Sequence, residues 1–196
     1  PRVVGWFVLA VFGDPTGGDA ARRRAAVGVL GAVTVLTVLG SLHAFGTPAF
    51  APPDETSHVA YALALTEGTV PHIASFPADL PIPGMRDGLS TWTANHPPGA
   101  YALMAVPLWV GVELGEPLLG FWGARLLNVL GSAIAVVFAA RIVGLMLPHR
   151  PRVVVGVAML TALVPYSVHI AGTAYTDGLA SAATVALLAV AVDWIF

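Results

Sequence analysis

AAVGVLGAVTVLTVLGSLHAF, residues 25–45, decides the fold. The stretch carries no Asp, Glu, Lys or Arg, and its one titratable group, His43, lies near its far end. At about 1.5 Å of rise per residue it matches the roughly 30 Å hydrocarbon core of a bilayer. Arg22-Arg23-Arg24 stands directly before it. The rest of the chain asks for the same solvent. It is 57% hydrophobic and 10% charged, with a mean hydropathy of +0.80. Nine arginines, no lysine and eleven acids are too few to cover the surface of a water-soluble domain of 196 residues.

Three further stretches read as spans. Residues 119–147 carry Arg125 and Arg141 near their two ends, where long side chains can snorkel. Residues 153–174 contain Pro165, a kink that a membrane helix tolerates. Residues 178–196 hold no charge until Asp193, beside the interfacial Trp194. The expected fold is therefore an all-α integral membrane protein with about four transmembrane helices. Val3 to Phe12 is too short to span, and residues 1–24 are expected to form a cytoplasmic or interfacial segment. The chain opens without Met and stops inside an apolar helix, so it is expected to be part of a longer protein. Small residues recur four apart at Gly131, Ala135 and Ala139 and at Gly178, Ala182 and Ala186. This permits close helix packing in lipid, although abundant alanine produces such stripes unaided.

Arginine sets the orientation. Arg22, Arg23 and Arg24 precede span one, and Arg141, Arg150 and Arg152 surround the joint between spans two and three, so both regions are expected in the cytoplasm. Residues 46–118 then form an outer loop, and the turn around Tyr175 to Asp177 lies on the same outer side. Pro52-Pro53 followed by Asp54-Glu55, with Gly68 after Glu67, predicts a short helix from Asp54 to Glu67 lying along the membrane surface. Val70 to Asn95, broken by prolines and glycines, predicts irregular chain, and Pro98 to Val112 a second surface helix bent at Pro107.

Several chemistries are poorly supported. There is no cysteine for a disulfide, a thiolate metal site or a nucleophile, no lysine for a phosphate-binding P-loop, and no His-Glu-x-x-His. The net charge of −2 and the absence of a basic stripe exclude nucleic acid as the expected partner. Six scattered histidines specify no metal cage. Asp54 with His58 could give two ligands to a divalent cation, and two ligands do not make a site.

The strongest local signal is Pro52-Pro53-Asp54-Glu55-Thr56-Ser57-His58. Two carboxylates emerge where span one leaves the membrane, with His58 one helical turn after Asp54 on the same face. A carboxylate shielded from water there can act as a general base, and a helix N-terminus favours acids through its dipole with no chemistry at all. His96 in Asn95-His96-Pro97-Pro98 is a second candidate, against the plain reading of a helix start. Asp177 at the head of span four either faces a shared site or is an ordinary first-turn acid. Arg125 either snorkels to headgroups or clamps a phosphate.

In order, these motifs resemble the C-type membrane glycosyltransferases (GT-C superfamily): Asp-Glu with His three residues after the Glu, His-Pro-Pro, an Arg heading span two and an Asp heading span four. The resemblance covers residues 25–196, the N-terminal part of such an enzyme. It implies an inverting hexosyl or pentosyl transferase that moves a sugar from a polyprenyl-phosphate donor to a glycan, lipid or protein acceptor, in the cell membrane with its active site on the extracytoplasmic side. It assigns Asp54 or Glu55 as the catalytic base and His58, His96, Arg125 and Asp177 to substrate binding. It names no certain cofactor, leaving a divalent cation open. Gly99 and Ala100 depart from the Leu-Gly-Lys that follows His-Pro-Pro in protein mannosyltransferases. The competing classes are a transporter or flippase, which would place critical charges at mid-membrane, and a non-catalytic scaffold.

Overall fold

The computed structural model describes residues 2–13, 20–73, 82–85 and 92–195. Among them the chain is helical with no strand: α1 (Arg2–Phe12), α2 (Ala20–Gly46), α3 (Glu55–Thr66), a 3-10 turn (Trp92–Asn95), α4 (Gly99–Glu113), α5 (Pro117–Met146), α6 (Pro151–Leu163), α7 (Pro165–Ala171) and α8 (Asp177–Ile195). Three helices, α2, α5 and α8, are long and apolar enough to cross a membrane. α6 and α7, bent by 60°, make a fourth as one broken span. The break falls at Val164, whose extended backbone is what a residue before proline prefers. The protein is an all-α membrane protein. Asp79, Arg86, Asp87 and much of the stretch expected to be irregular lie outside the described residues.

α5 is the central helix. α8 packs along it, and at the head of the two small-residue stripes the approach is close: a Cβ on Gly131 would lie 2.7 Å from the carbonyl carbon of Gly178, so that pair must be glycine. α4 crosses the start of α5 at Gly111 and Gly120, with a Cβ on Gly111 only 2.5 Å from the Gly120 nitrogen. α1 and α6 pack on α2, and Val8, Val11, Val29, Ala32, Val154 and Ala158 form a core of small apolar side chains. α1, the segment too short to span, is thereby part of the bundle.

The helix termini sort into two ends. The C-termini of α2 and α7 meet the N-termini of α5 and α8 at one end, where His169 Nδ1 lies 3.1 Å from His43 Nε2 and a Cβ on Gly172 would meet the Gly40 carbonyl at 2.7 Å. At the other end Arg141 pairs with Asp193 and hydrogen-bonds the Ala10 carbonyl (2.9 Å). α3 and α4 cap the first end. The expectation for α3 is corrected here: Glu55 to Leu63 are all buried, so it is enclosed by α4 and the 3-10 turn instead of lying open along a surface. Its apolar side chains Val59 and Leu63 face Phe50, Tyr101, Met104, Leu108 and Phe121, the core of the cap.

Candidate functional site

Asp54 and Glu55 are neighbours, but successive side chains on a helix diverge by about 100°, and the two carboxylates have different fates. Asp54 is the N-cap of α3 and half-buried. Glu55 points inward and is fully buried. Its Oε1 accepts from Arg125 Nε (2.8 Å) and the Ala174 N–H (2.7 Å). Its Oε2 accepts from Arg125 Nη2 (2.7 Å) and the Phe50 N–H (3.0 Å). Phe50 reaches that position through a left-handed backbone, φ 58°, a conformation costing about 1 kcal/mol that the carboxylate bond and the buried ring offset.

Arg125 completes the arrangement. Its other three N–H groups donate to the carbonyls of Ala44 (2.5 Å), Thr47 (2.7 Å) and Pro48 (3.1 Å), and its guanidinium lies over Phe121 and Trp122 (4.6 and 5.0 Å to the ring centres). All five guanidinium N–H groups and all four carboxylate acceptor positions are used. Arg125 therefore neither snorkels nor has a donor left for a phosphate. It ties the end of α2, the start of α3, α5 and the approach to α8 into one body, and Glu55 has no lone pair facing open space. The adjacent pair of acids thus reduces to one available carboxylate, Asp54.

Behind Asp54 lies a layer of rings from three segments. The Tyr101 hydroxyl is 3.0 Å from His58 Nδ1 and 2.9 Å from His96 Nδ1. Burial pushes the Tyr101 phenol up to about 12, so it keeps its proton and can donate only once; at least one of the two imidazoles must therefore donate its Nδ1–H to the phenol oxygen. Burial first, and then neighbouring His96, lower His58 to about 4, so His58 is neutral at physiological pH. His58 stacks between Tyr175 (4.8 Å) and Tyr101 (5.7 Å), and Tyr61 stacks on Tyr101 (4.0 Å) and donates to the His96 carbonyl (3.2 Å). Thr93 of the 3-10 turn bonds Ser57 (3.0 Å) and fixes that turn against α3. His58 is 4% exposed, so the structure makes it an internal support, whereas half-buried His96 reaches the surface.

Asp177 is the exposed first residue of α8. The turn before it is held by Asn128, whose Nδ2 donates to the carbonyls of Ile170 (2.7 Å) and Thr173 (3.2 Å) and whose Oδ1 accepts from the Gly178 N–H (2.9 Å). Tyr175 hydrogen-bonds the Asp54 backbone; burial, and then the charges of Asp54, Glu55 and Asp177, push its phenol up to about 12. The charges of Asp54 and Asp177 thus both act on one protonated tyrosine. At Asp177 a groove of about 560 Å³ opens between α4 and α8. His96, Pro97, Thr176 and Asp177 form its head, and Leu103 and Ala183 continue it along the helices.

All six residues singled out from the sequence lie at this one end of the bundle: Glu55 with Arg125, His58 with His96 through Tyr101, and Asp54 and Asp177 through their charges on Tyr175. Sequence reasoning missed Tyr101, Tyr175 and Asn128. Asn128, the one amide side chain in its span, was a readable sign of a helix-to-helix hydrogen bond; the tyrosines carried no such sign. Among the described residues no three His, Asp or Glu side chains converge to hold a metal ion. Compared with protein-family models, characterised proteins and solved structures, the chain matches none.

Proposed function

We propose that this end of the bundle is part of an inverting glycosyltransferase site that takes a sugar from a polyprenyl-phosphate donor, with Asp54 as the general base. The observation carrying the proposal is the division between the two adjacent acids: Glu55 is consumed by Arg125, while Asp54 is left half-buried at the start of α3, its charge acting together with that of Asp177 on Tyr175, and Asp177 stands at the head of a groove that is polar there and largely apolar along its length. A polyprenyl phosphate has the same division, an isoprenoid tail that prefers the bilayer and a phosphate that stays at the interface.

In this reading the acceptor hydroxyl attacks the anomeric carbon and gives its proton to the Asp54 carboxylate. The bond from that carbon to the phosphate oxygen breaks, and its electron pair leaves with the polyprenyl phosphate. His96 and Thr176 are the hydrogen-bonding side chains at the groove head, and Tyr101 fixes the His96 ring. Arg125 is saturated, so the cation that would balance the leaving phosphate has to come from elsewhere in the protein. The arginines gathered at the opposite end support a cytoplasmic placement of that end and, with it, an extracytoplasmic placement of the site.

The test is transfer by the full-length protein in proteoliposomes, supplied with polyprenyl-phosphate hexoses and pentoses and followed by release of polyprenyl phosphate. Asp54→Asn is expected to lower the rate by roughly 10²–10⁴-fold with the protein still folded; full activity in that variant overturns the assignment. Single cysteines at positions 54 and 177 should both react with an impermeant reagent from outside, and reaction from the cytoplasm would overturn the sidedness.

A further inference from the structure

The arginine-bearing end holds a second cavity, unrelated to the transferase reading. A groove of about 320 Å³ lies between the first turns of α2 and α6, lined by Ala21, Arg24, Ala25, Pro151, Arg152 and Val155. Val155 packs on Gly28, where a Cβ would lie 2.9 Å from both Val155 methyl groups, so the two helices are in close contact one turn beyond Arg24. We propose that this groove binds the phosphodiester headgroup of an anionic membrane lipid, held by Arg24 and Arg152.

Three features support that occupant. Both guanidiniums are exposed, and neither has a hydrogen-bond or ion-pair partner among the described residues, in contrast to Arg125 and Arg141. Arg152 is the second residue of α6 and Arg24 the fifth of α2, both near helix ends where the dipole is positive, and neither helix has an acid in its first turn. Two cations at two positive helix ends repel unless an anion lies between them. Finally, the rest of the lining is apolar, and Val27 and Val153 next to it are exposed at 52% and 40%, a surface for acyl chains where the spans begin. A planar guanidinium matches a phosphate bidentately, and basic pockets between helices on the cytoplasmic side are suited to anionic headgroups.

The experiment titrates phosphatidylglycerol into full-length protein in phosphatidylcholine nanodiscs and reads bound lipid by native mass spectrometry. Arg24→Gln with Arg152→Gln should weaken phosphatidylglycerol retention about thirtyfold, two arginines each contributing near-surface attraction, while Arg22→Gln with Arg23→Gln should change it much less. Equal loss in both double variants would reduce the effect to overall charge and overturn the site, as would wild-type retention in the first. If the glutamine pair does not fold, the Arg24→Lys, Arg152→Lys pair keeps the charge but not the fork, and should retain an intermediate amount; wild-type retention there would also overturn it. Inorganic phosphate should compete poorly, and displacement of the lipid at equal phosphate concentration would show a free-anion site instead.

Discussion

Around α1, α2 and α6 the core is almost entirely alanine and valine, with Phe12 and Leu36 the exceptions, whereas beneath α3 and α4 it is rich in phenylalanine, tyrosine and larger aliphatic side chains and adjoins a buried ion pair. In the bundle the helices gain little hydrophobic free energy from one another, because lipid is as apolar as they are, so close backbone approach has to hold them together. In the cap large rings are buried and every buried side-chain polar atom among the described residues has a partner. The bundle should therefore be sensitive to an added methyl group and the cap to the loss of one polar atom.

The largest effect should come from breaking the ion pair. Arg125→Met leaves Glu55 charged and buried, and should cost about 3–5 kcal/mol, read as loss of folded protein in thermal unfolding in detergent. Adding Glu55→Leu to it should restore much of that loss; a single variant as stable as the wild type would mean the pair does not organise the cap. Next is a pH effect from His58. Because burial holds His58 at about 4, the unfolded chain binds a proton between pH 6.5 and about 4 that the folded chain does not. Stability from this group is complete above pH 6.5, falls as the pH drops through that window by at most roughly 3 kcal/mol, and levels off below it. The pH dependence of unfolding should flatten in His58→Gln, and an unchanged profile would contradict the burial of this ring.

The bundle side of the comparison is sharpened by two glycines. Gly131→Ala should cost about 1–3 kcal/mol by overpacking against Gly178. Gly156→Ala, where a Cβ meets nothing within 4 Å, should be neutral or stabilising by up to about 1 kcal/mol; equal effects would remove the argument from close approach. Smallest is Tyr101→Phe, which deletes the hydroxyl shared by His58 and His96 and should cost about 1 kcal/mol, with histidine Nδ1 shifts in NMR as the direct readout.

The spans were legible because length and apolarity are local properties of the chain, as was the break at Pro165. The start of α3 was legible too, since Pro52-Pro53-Asp54-Glu55 is a local signal. Which of the two acids turns inward was not: that depends on Arg125, 70 residues away, and on the N–H of Ala174, 119 residues away. Reading Arg125 as a lipid or phosphate contact failed for the same reason, because a charge near the end of a span looks alike whether it faces lipid or a buried carboxylate. Tyr101 joins His58 across 43 residues, and nothing in its own neighbourhood distinguishes it from an aromatic packed in a core.

The most direct test sets the two neighbouring acids side by side, measuring thermal unfolding and sugar transfer in Asp54→Asn and Glu55→Gln. The expected result is that Asp54→Asn unfolds within a few degrees of the wild type and transfers sugar roughly 10²–10⁴-fold more slowly, while Glu55→Gln unfolds far earlier. Transfer retained in Asp54→Asn, or a Glu55→Gln protein as stable as the wild type, would contradict the division between a carboxylate for the fold and a carboxylate for the chemistry.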